Sequence, residues 1–184
     1  LSGNYKNVAD SEPEALIEPL ASYVDEKSSK SIMSFAPSYE MRYWAKSESS
    51  NWKAPYIENK KILKDKNSIR LNLKSSRSAS RLAILLPRES NLKSFNLGSV
   101  EFQASLNARG AYKDYYVIYI NGVYSENIEL TLNFNEYKQE IDAFLLDIST
   151  ELPEHLNGLY KARTGIFSPV HRGDQAVIVK KIKI

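Results

Sequence analysis

The stretch NIELTLNF, residues 127–134, indicates the fold class of this chain. Its apolar residues alternate with polar ones and are Ile128, Leu130, Leu132 and Phe134. A period of two places successive side chains on opposite faces of an extended strand. We therefore expect one face of this strand to be buried and the other to be solvated, as is common in antiparallel sheets.

A second stretch, YYVIYING at residues 115–122, is rich in aromatic and β-branched residues and ends in Asn121-Gly122. Such residues favour strands, and an Asn-Gly pair favours the tight turn of a two-residue hairpin. The sequence therefore predicts a hairpin here, with its returning strand beginning at Val123 and Tyr124.

Further strands are predicted at residues 32–35, 42–45, 69–73, 82–86, 100–106, 141–148 and 176–184. Turn residues separate most of them at intervals of roughly 8 to 15 residues, which is typical of a sandwich. Few segments have the length and period of a crossover helix, which argues against an α/β sheet. We expect a mainly β protein, an antiparallel β-sandwich of about seven to ten strands.

The first thirty residues have a different pattern. Ser11 is suited to cap a short helix, and Pro19 interrupts the apolar pattern that follows it. The sequence therefore predicts a short helical or irregular N-terminal appendage with a linker over residues 1–30, and the sandwich domain over residues 31–184.

Charge and composition exclude several classes of protein. The chain has 184 residues, and its 25 basic residues are balanced by 22 acidic ones, for a net charge of +3. That balance does not fit a nucleic-acid binder, and we interpret the lysines of residues 60–64 and 180–183 as solvated. No run of about 18 apolar residues occurs, so no membrane insertion is expected of this chain.

The sequence contains no recognisable catalytic or metal-binding pattern. The chain has no cysteine, its two histidines, His155 and His171, lie in loop-like contexts, and the run at residues 75–78 resembles a surface loop. No zinc-ligand spacing or Gly-x-Ser-x-Gly elbow is present. Asp142 and Asp147 are five apart on one strand and are expected on opposite faces. We predict no enzymatic activity and no cofactor for this chain.

Four segments resemble the C-terminal soluble region of membrane-bound M28-family peptidases, which are zinc aminopeptidase-like enzymes. One of them, YINGVYSENIELTLNF at residues 119–134, is similar to the strand, turn and alternating strand that precede the family's Asp-x-Ser element. In SIMSFAPSYEMRYWAKSESSNWKAPYI, residues 31–57, Phe35, Trp44, Ser47 and Trp52 match an aromatic, a Trp-x-Ser-like element and a later Trp. LLDISTELP, residues 145–153, is similar to the family's Asp-x-Ser-x-Gly-Leu-Pro element, with Glu151 in place of its Gly. FSPVHRGDQAVIVKKIKI, residues 167–184, is similar to its last strand.

The resemblance implies a function. In that family a zinc-containing peptidase domain and a set of transmembrane helices precede this β-rich region, which lies outside the cytoplasm. The chain begins Leu1-Ser2-Gly3 without an initiator Met, as expected of a segment of a longer protein. The resemblance thus implies a non-catalytic accessory ectodomain, periplasmic, whose partners are the peptidase and transmembrane regions of the same polypeptide.

The tryptophans Trp44 and Trp52 leave three interpretations open. They could anchor the core, form an interface with a membrane-proximal partner domain, or stand exposed with Tyr43 and Tyr56 and stack on sugars as in a carbohydrate-binding sandwich. Tyr43, Trp52 and Tyr56 are the candidate ligand or interface residues. Trp44 ends an apolar strand, which favours the core, and Trp52 is expected to be the more exposed tryptophan. The alternative function is therefore a free-standing extracytoplasmic module that binds carbohydrate or peptidoglycan.

The element at the end of the strand over residues 141–148 carries a structural prediction. Asp147 and Ser149 are two residues apart where that strand should stop, and both can bond to free backbone groups of a turn. Pro153 prevents continuation of the strand pairing. We expect Asp147, Ser149 and Pro153 to form a structural turn, without a catalytic or metal-binding role.

Overall fold

A computed structural model describes residues 26–27, 43–44, 51–63, 67–108, 112–123, 127–138, 140–151, 153–154, 157–158, 161 and 176–184. The chain divides into two compact units. The first comprises Leu1–Asn51 with Thr150–Ala176, and the second comprises Trp52–Ser149 with Val177–Ile184.

The first unit contains a small antiparallel pair of strands, β1 (Glu26–Lys27) and β2 (Tyr43–Trp44). Glu26 is opposite Trp44, and Lys27 is opposite Tyr43. The helix predicted after Ser11, the strand predicted at residues 32–35 and the domain boundary predicted at residue 30 lie outside the described residues. The proposed division into residues 1–30 and 31–184 stays a prediction.

The second unit is built on two antiparallel sheets. The first sheet has five strands in the order β3 (Tyr56–Ile62), β4 (Ser68–Lys74), β9 (Ile128–Phe134), β6 (Leu92–Leu97) and β7 (Val100–Gln103). The second has four strands in the order β11 (Ala176–Lys183), β10 (Asp142–Ser149), β5 (Arg81–Pro87) and β8 (Tyr115–Asn121). The predicted mainly β, antiparallel sandwich is confirmed.

The core lies between the inner faces of the two sheets, and the alternation in NIELTLNF marks one of those faces. Leu130 and Leu132 of β9 are fully buried, opposite Leu71 and Ile69 of β4. Leucines and isoleucines of β5, β8 and β10 complete the same buried cluster. Burial of this apolar surface is the main term that stabilises the pairing of the sheets.

Strand β5 is buried on both faces. Its inward residues Leu82, Ile84 and Leu86 belong to the core, while its outward residues Ala83 and Leu85 are also fully buried. The sequence LAILL accordingly lacks alternation, as expected of a strand with no solvated face. β5 and its neighbour β10 are thus the interior strands of the four-stranded sheet.

The hairpin predicted at Asn121-Gly122 is wrong. Strand β8 pairs with β5, and the next strand, β9, belongs to the other sheet. The N–H groups of Gly122 and Val123 donate to the carbonyl of Ser80 at 2.8 and 3.2 Å, and Gly122 has φ +74°. The chain therefore leaves the four-stranded sheet after β8. The next strand, β9, pairs with β4 and β6 of the five-stranded sheet and not with β8.

Three strands were not predicted, namely β1, β3 and β6. β3 has three charged residues among its seven, and β6 combines one lysine with two polar residues, so neither of these two has a clear period of two. β6 and β7 form a tight hairpin through Gly98, which has φ +58°, a conformation that glycine adopts at little cost.

The described residues include no helix that could span a membrane.

Candidate functional site

Asp147 is the only fully buried carboxylate side chain among the described residues. It lies on the inner face of β10, opposite Leu82 of β5, two residues before the strand ends. Its position follows from the alternation of β10, where Ala143 and Leu145 point into the same core. A carboxylate at such a depth needs charged and hydrogen-bonding partners.

Arg77 and Ser75, from the connection between β4 and β5, supply those partners. The Arg77 Nε donates to Asp147 Oδ1 at 2.9 Å, and Nη2 lies 2.7 Å from the same oxygen. Ser75 Oγ donates to the other oxygen, Oδ2, at 2.9 Å. The Arg77 side chain is 8% exposed and that of Asp147 is 0% exposed, so the ion pair is buried.

Serine side chains extend this network on both sides. Arg77 Nη1 donates to Ser149 Oγ, and Nη2 donates to the main-chain carbonyl of Asp147 at 3.4 Å. Ser75 Oγ also accepts from the N–H groups of Arg77 at 3.3 Å and Ala79 at 3.1 Å. Ser75 therefore fixes the conformation of the connection that carries Arg77.

Trp52 covers the guanidinium group. The Arg77 Cζ lies 4.6 Å from the centroid of the indole ring, within the range of a cation–π contact. The segment after Trp52 is tied to the same connection, because Ser76 Oγ donates to the Ala54 carbonyl at 3.0 Å. We call Trp52, Ser75, Arg77, Asp147 and Ser149 the Arg77 cluster.

The Arg77 cluster neutralises a buried carboxylate and joins segments that are distant in sequence. Arg77 and Asp147 are 70 residues apart along the chain. Both carboxylate oxygens of Asp147 accept hydrogen bonds, and the Ser75 hydroxyl proton is directed at one of them. This arrangement holds the chain in place, because the two charges neutralise each other and the Ser75 hydroxyl proton already has a partner.

The structural turn predicted for Asp147 and Ser149 takes a different form. The Asp147 carboxylate bonds to the side chains of Ser75 and Arg77, and none of its bonds is to the backbone of the turn after β10. Ser149 is the last residue of β10, and its hydroxyl likewise accepts from Arg77. Pro153 is half-buried, in the first unit.

The interpretation of residues 75–78 as a surface loop is wrong for Ser75 and Arg77. Ser75 is 6% exposed, and the Arg77 side chain is buried against Asp147 and Trp52. The sequence offered one signal that could have identified them. Asp147 follows an apolar run in a core strand and therefore requires a cation that only a distant segment can supply.

The three predicted aromatic residues have different surroundings. Trp52 is half-buried against Arg77, whereas Tyr56 is half-buried at the start of β3, opposite Lys74 of β4. The alternation of β4 places Lys74 on the face opposite the core, so Tyr56 lies on the outer face of the five-stranded sheet. The side chain of Tyr43 lies outside the described residues.

The outer face of the five-stranded sheet carries a network of polar side chains that the sequence analysis did not identify. Asn133 Nδ2 donates to Ser94 Oγ at 3.0 Å and to Asn96 Oδ1 at 2.8 Å, and Ser94 donates to Glu101 at 2.5 Å. The polar half of the alternation in NIELTLNF was the available signal, since Asn133 belongs to it.

A second group of polar contacts lies nearer to Tyr56. Asn127 Nδ2 donates to Glu58 at 2.8 Å, and Lys74 Nζ lies 3.6 Å from the same carboxylate. Arg70 and Glu129 form an exposed pair at 3.6 Å. Amide and charged groups of both signs therefore share the outer face of the sheet with Tyr56.

The remaining positions identified from the sequence are either exposed or outside the described residues. Asp142 is exposed and pairs with Lys181 at 3.0 Å, on the opposite face of β10 from Asp147, as predicted. The described lysines of β3 and β11 are exposed, as predicted. His155 and His171 lie outside the described residues, among which no group of three His, Cys, Asp or Glu could hold a metal ion.

Comparison with known proteins returned no relative: no protein family, no curated protein and no solved structure matches this chain.

Proposed function

We propose that this chain is a non-catalytic accessory ectodomain of a membrane-bound M28-like metallopeptidase. The supporting observation is the position of Arg77. The resemblance rests in part on the segment that contains Trp52 and on the element that contains Asp147 and Ser149, and Arg77 contacts all three residues. Residues that carry the resemblance therefore share one buried cluster, as expected of a family's structural signature.

The buried cluster supports a scaffold role for the domain. The cluster joins three parts of the sandwich: the segment before β3, the β4–β5 connection and the end of β10. The two ionisable groups of the cluster, Arg77 and Asp147, neutralise each other. An accessory domain needs a defined shape to assist folding, assembly or access of substrates to a neighbouring active site. Under this proposal the partners are the peptidase and transmembrane regions of the same polypeptide.

The proposal places the chain outside the cytoplasm, in the periplasm, and assigns the zinc chemistry to the separate peptidase domain. This chain then binds no zinc and hydrolyses no aminoacyl substrate. Neither nucleic acid nor the bilayer interior is a partner under this proposal.

The test begins with the complete reading frame that contains this chain. We expect several hydrophobic spans and a zinc-ligand set upstream of residue 1. In that full-length protein, removal of residues 31–184, the predicted sandwich domain, should lower the amount of folded peptidase or its aminopeptidase activity. A reading frame without upstream spans, or release of amino acids by the purified 184-residue chain, contradicts the proposal.

A zinc measurement complements that test. Elemental analysis of the purified chain should find far less than one zinc per molecule, because a structural or catalytic site needs three or four suitable ligands. About one tightly held zinc per chain contradicts the non-catalytic assignment.

The second candidate function is binding of carbohydrate or peptidoglycan fragments at the outer face of the five-stranded sheet. It is favoured by Tyr56, which lies on the same face as the polar groups of Glu58, Lys74 and Asn127. Aromatic rings with adjacent hydrogen-bonding groups suit sugar rings. Trp52 contributes less in this arrangement, since Arg77 already covers one side of its ring.

Calorimetric titration with soluble peptidoglycan fragments tests the second candidate. We expect Tyr56→Ala to weaken binding about tenfold or more, a loss typical of one aromatic stacking contact. Tyr119→Ala is the matched control, because Tyr119 is 41% exposed on the four-stranded sheet. Equal losses for both variants, or no heat with the unmodified chain, exclude this candidate.

A further inference from the structure

The two edge strands of the five-stranded sheet differ in how they are protected. Edge strand β3 has a bulge between Ile57 and Asn59 and carries Glu58, Lys60 and Lys61. Bulges and charged side chains are the devices that prevent an edge strand from pairing with another chain. β3 is therefore a protected edge.

Edge strand β7 lacks these devices. All four of its residues are exposed, its pairing with β6 has no register shift, and Val100 and Phe102 are 53% and 43% exposed. It has no lysine and no proline, and Glu101 is its one charged residue. In the described part of the chain, β7 pairs with β6 alone.

The edges of the four-stranded sheet differ from β7 as well. β11 carries Lys180, Lys181 and Lys183. β8 is partly covered, because Leu106 forms a bridge with Tyr116 and the N–H of Asn107 donates to Tyr115 at 3.0 Å. Among the edges that the structure describes, β7 is thus the one best suited to accept another strand.

The direction of the main-chain groups in β7 follows from its pairing. The N–H of Ala104 donates to the Lys93 carbonyl at 3.0 Å, just beyond the strand. Antiparallel pairs alternate between hydrogen-bonded and non-hydrogen-bonded, so Phe102 bonds to Phe95 of β6. The N–H and C=O groups of Glu101 and Gln103 consequently point to the free side of β7.

The aromatic side chain of β7 is held in a defined position. The rings of Phe102 and Phe95 are stacked, with centroids 5.1 Å apart and planes 15° apart. Phe95 in turn packs against the buried core cluster. Phe102 therefore presents an ordered apolar surface at the edge, and little side-chain entropy remains to be lost when another strand covers it.

We propose that β7 pairs antiparallel with β7 of a second copy of this chain, about a two-fold axis at Phe102. In this register Glu101 is opposite Gln103 of the partner subunit, and the outward main-chain groups form about four hydrogen bonds. Phe102 is opposite Phe102 of the partner subunit in a non-hydrogen-bonded pair, the type that brings side chains closest. The result is one continuous sheet across the dimer.

Charge disfavours the neighbouring register centred on Glu101, and the pairing of apolar side chains favours the one centred on Phe102. A two-fold axis perpendicular to the sheet must place one residue opposite its own copy. Centring it on Glu101 opposes two carboxylates, which is destabilising, whereas centring it on Phe102 opposes a carboxylate and a neutral amide. The Phe102 register also places Val100 opposite Ala104 of the partner subunit, which keeps apolar groups on one face.

The proposed interface is small. A four-residue edge buries less than the roughly 1,200 Å² of a standard stable interface, so the dimer is expected to be weak and concentration-dependent. This inference is independent of the proposed accessory function, because it concerns self-association of the chain alone.

Sedimentation velocity of the 184-residue chain over a wide concentration range tests the proposal. The unmodified chain should shift from monomer to dimer as concentration rises, and Phe102→Lys should abolish that shift. Ile62→Lys is the matched control, because Ile62 is 44% exposed on the opposite, protected edge. It should leave the dimer unchanged.

Substitutions at Gln103 test the register without disturbing the apolar side of β7. Gln103→Lys creates an opposite-charge pair twice per dimer and should tighten the dissociation constant at least about threefold, whereas Gln103→Glu should weaken it by a similar factor. Far-UV circular dichroism checks that each variant is folded. If Phe102→Lys fails to fold, the two Gln103 variants test the proposed dimer on their own.

The proposal is overturned by a chain that stays monomeric at all concentrations, which would leave the edge to a different partner strand. It is also overturned if Ile62→Lys and Phe102→Lys have the same effect, or if Gln103→Lys and Gln103→Glu shift the dissociation constant in the same direction.

Discussion

Two arginine–aspartate pairs in the second unit differ in almost everything except their chemistry. Arg77 and Asp147 are 2.7 Å apart with side chains 8% and 0% exposed. Arg88 and Asp114 are 2.5 Å apart with side chains 57% and 54% exposed. The closer pair is the exposed one, so distance alone does not rank the two by their contribution to stability.

Burial and neighbouring side chains explain why the two ion pairs differ in their contribution to stability. Water screens the exposed pair and competes for its hydrogen bonds, so an exposed pair contributes little. The buried pair is shielded from water, and Ser75, Ser149 and Trp52 satisfy or cover the groups that the ion pair leaves over. The buried pair is accordingly the more costly one to break, because its remaining partner is left charged in a poorly solvating environment.

The largest expected effect is that of Asp147→Ala. It leaves the Arg77 guanidinium buried without its carboxylate, and we expect a loss of about 3–5 kcal/mol in the free energy of unfolding. Chemical denaturation followed by circular dichroism measures this loss. Asp142→Ala on the exposed face of the same strand is the control and should lose less than about 1 kcal/mol. Equal losses for the two variants contradict the assignment.

A double variant separates the ion pair from the space it fills. In Arg77→Met with Asp147→Leu, both charges are replaced by apolar groups, and such exchanges are often nearly neutral. We expect the double variant to recover most of the stability lost by Asp147→Ala, to within about 2 kcal/mol of the unmodified chain. Denaturation curves of all three proteins test it, and a double variant less stable than the single one would show that the charges themselves are required.

Replacement of Trp52 has an intermediate effect. Trp52→Leu removes the aromatic face over the guanidinium and part of the buried area, and should cost about 1–2 kcal/mol. Trp52→Phe keeps a ring at that position and should cost less than the leucine variant. Thermal melts rank the two. If both variants melt together, contact between the cation and the ring does not contribute.

The smallest effect is expected for Asp114→Asn at the exposed pair, a change that removes the charge but suits the backbone of this position, which has φ +74°. Loss of its contact with Arg88 should change the free energy of unfolding by no more than about 0.5 kcal/mol, and added salt should reduce that change further. Denaturation at low and high ionic strength is the measurement. A loss comparable to that of Asp147→Ala would show that burial does not control the difference.

The sequence predicted the sandwich because alternation is a local property. In β4 and β9 polar and apolar residues alternate, and that pattern states which face is buried, whereas the apolar and aromatic composition of β8 and β10 favours strands without marking one face. β3 and β6 escaped prediction because each contains a register shift, between Ile57 and Asn59 in β3 and between Leu92 and Ser94 in β6, which interrupts the alternation. The pairing of β8 with β5 instead of a following strand could not be read from Asn121-Gly122, since the choice of neighbour depends on distant residues.

The Arg77 cluster was half predicted. Asp147 and Ser149 were identified from their position at the end of an apolar strand, whereas Ser75 and Arg77 were interpreted as surface residues. An arginine in a serine-rich run is usually solvated, and only the pairing of β5 with β10 brings this one to the carboxylate. Local sequence therefore identified the group that needs a partner but could not identify the partner.

The 70-residue separation between Arg77 and Asp147 has a kinetic consequence. Contacts that close long loops form late, because the entropy of closure must be offset before the contact contributes. We hypothesise that the cluster is absent from the folding transition state, so that Asp147→Ala mainly accelerates unfolding and changes the refolding rate little. Stopped-flow chevron plots of the unmodified chain and Asp147→Ala test this. Movement of the refolding arm alone would refute the hypothesis. Movement of the unfolding arm would mean that the contact of Arg77 with Asp147 sets the lifetime of the folded domain.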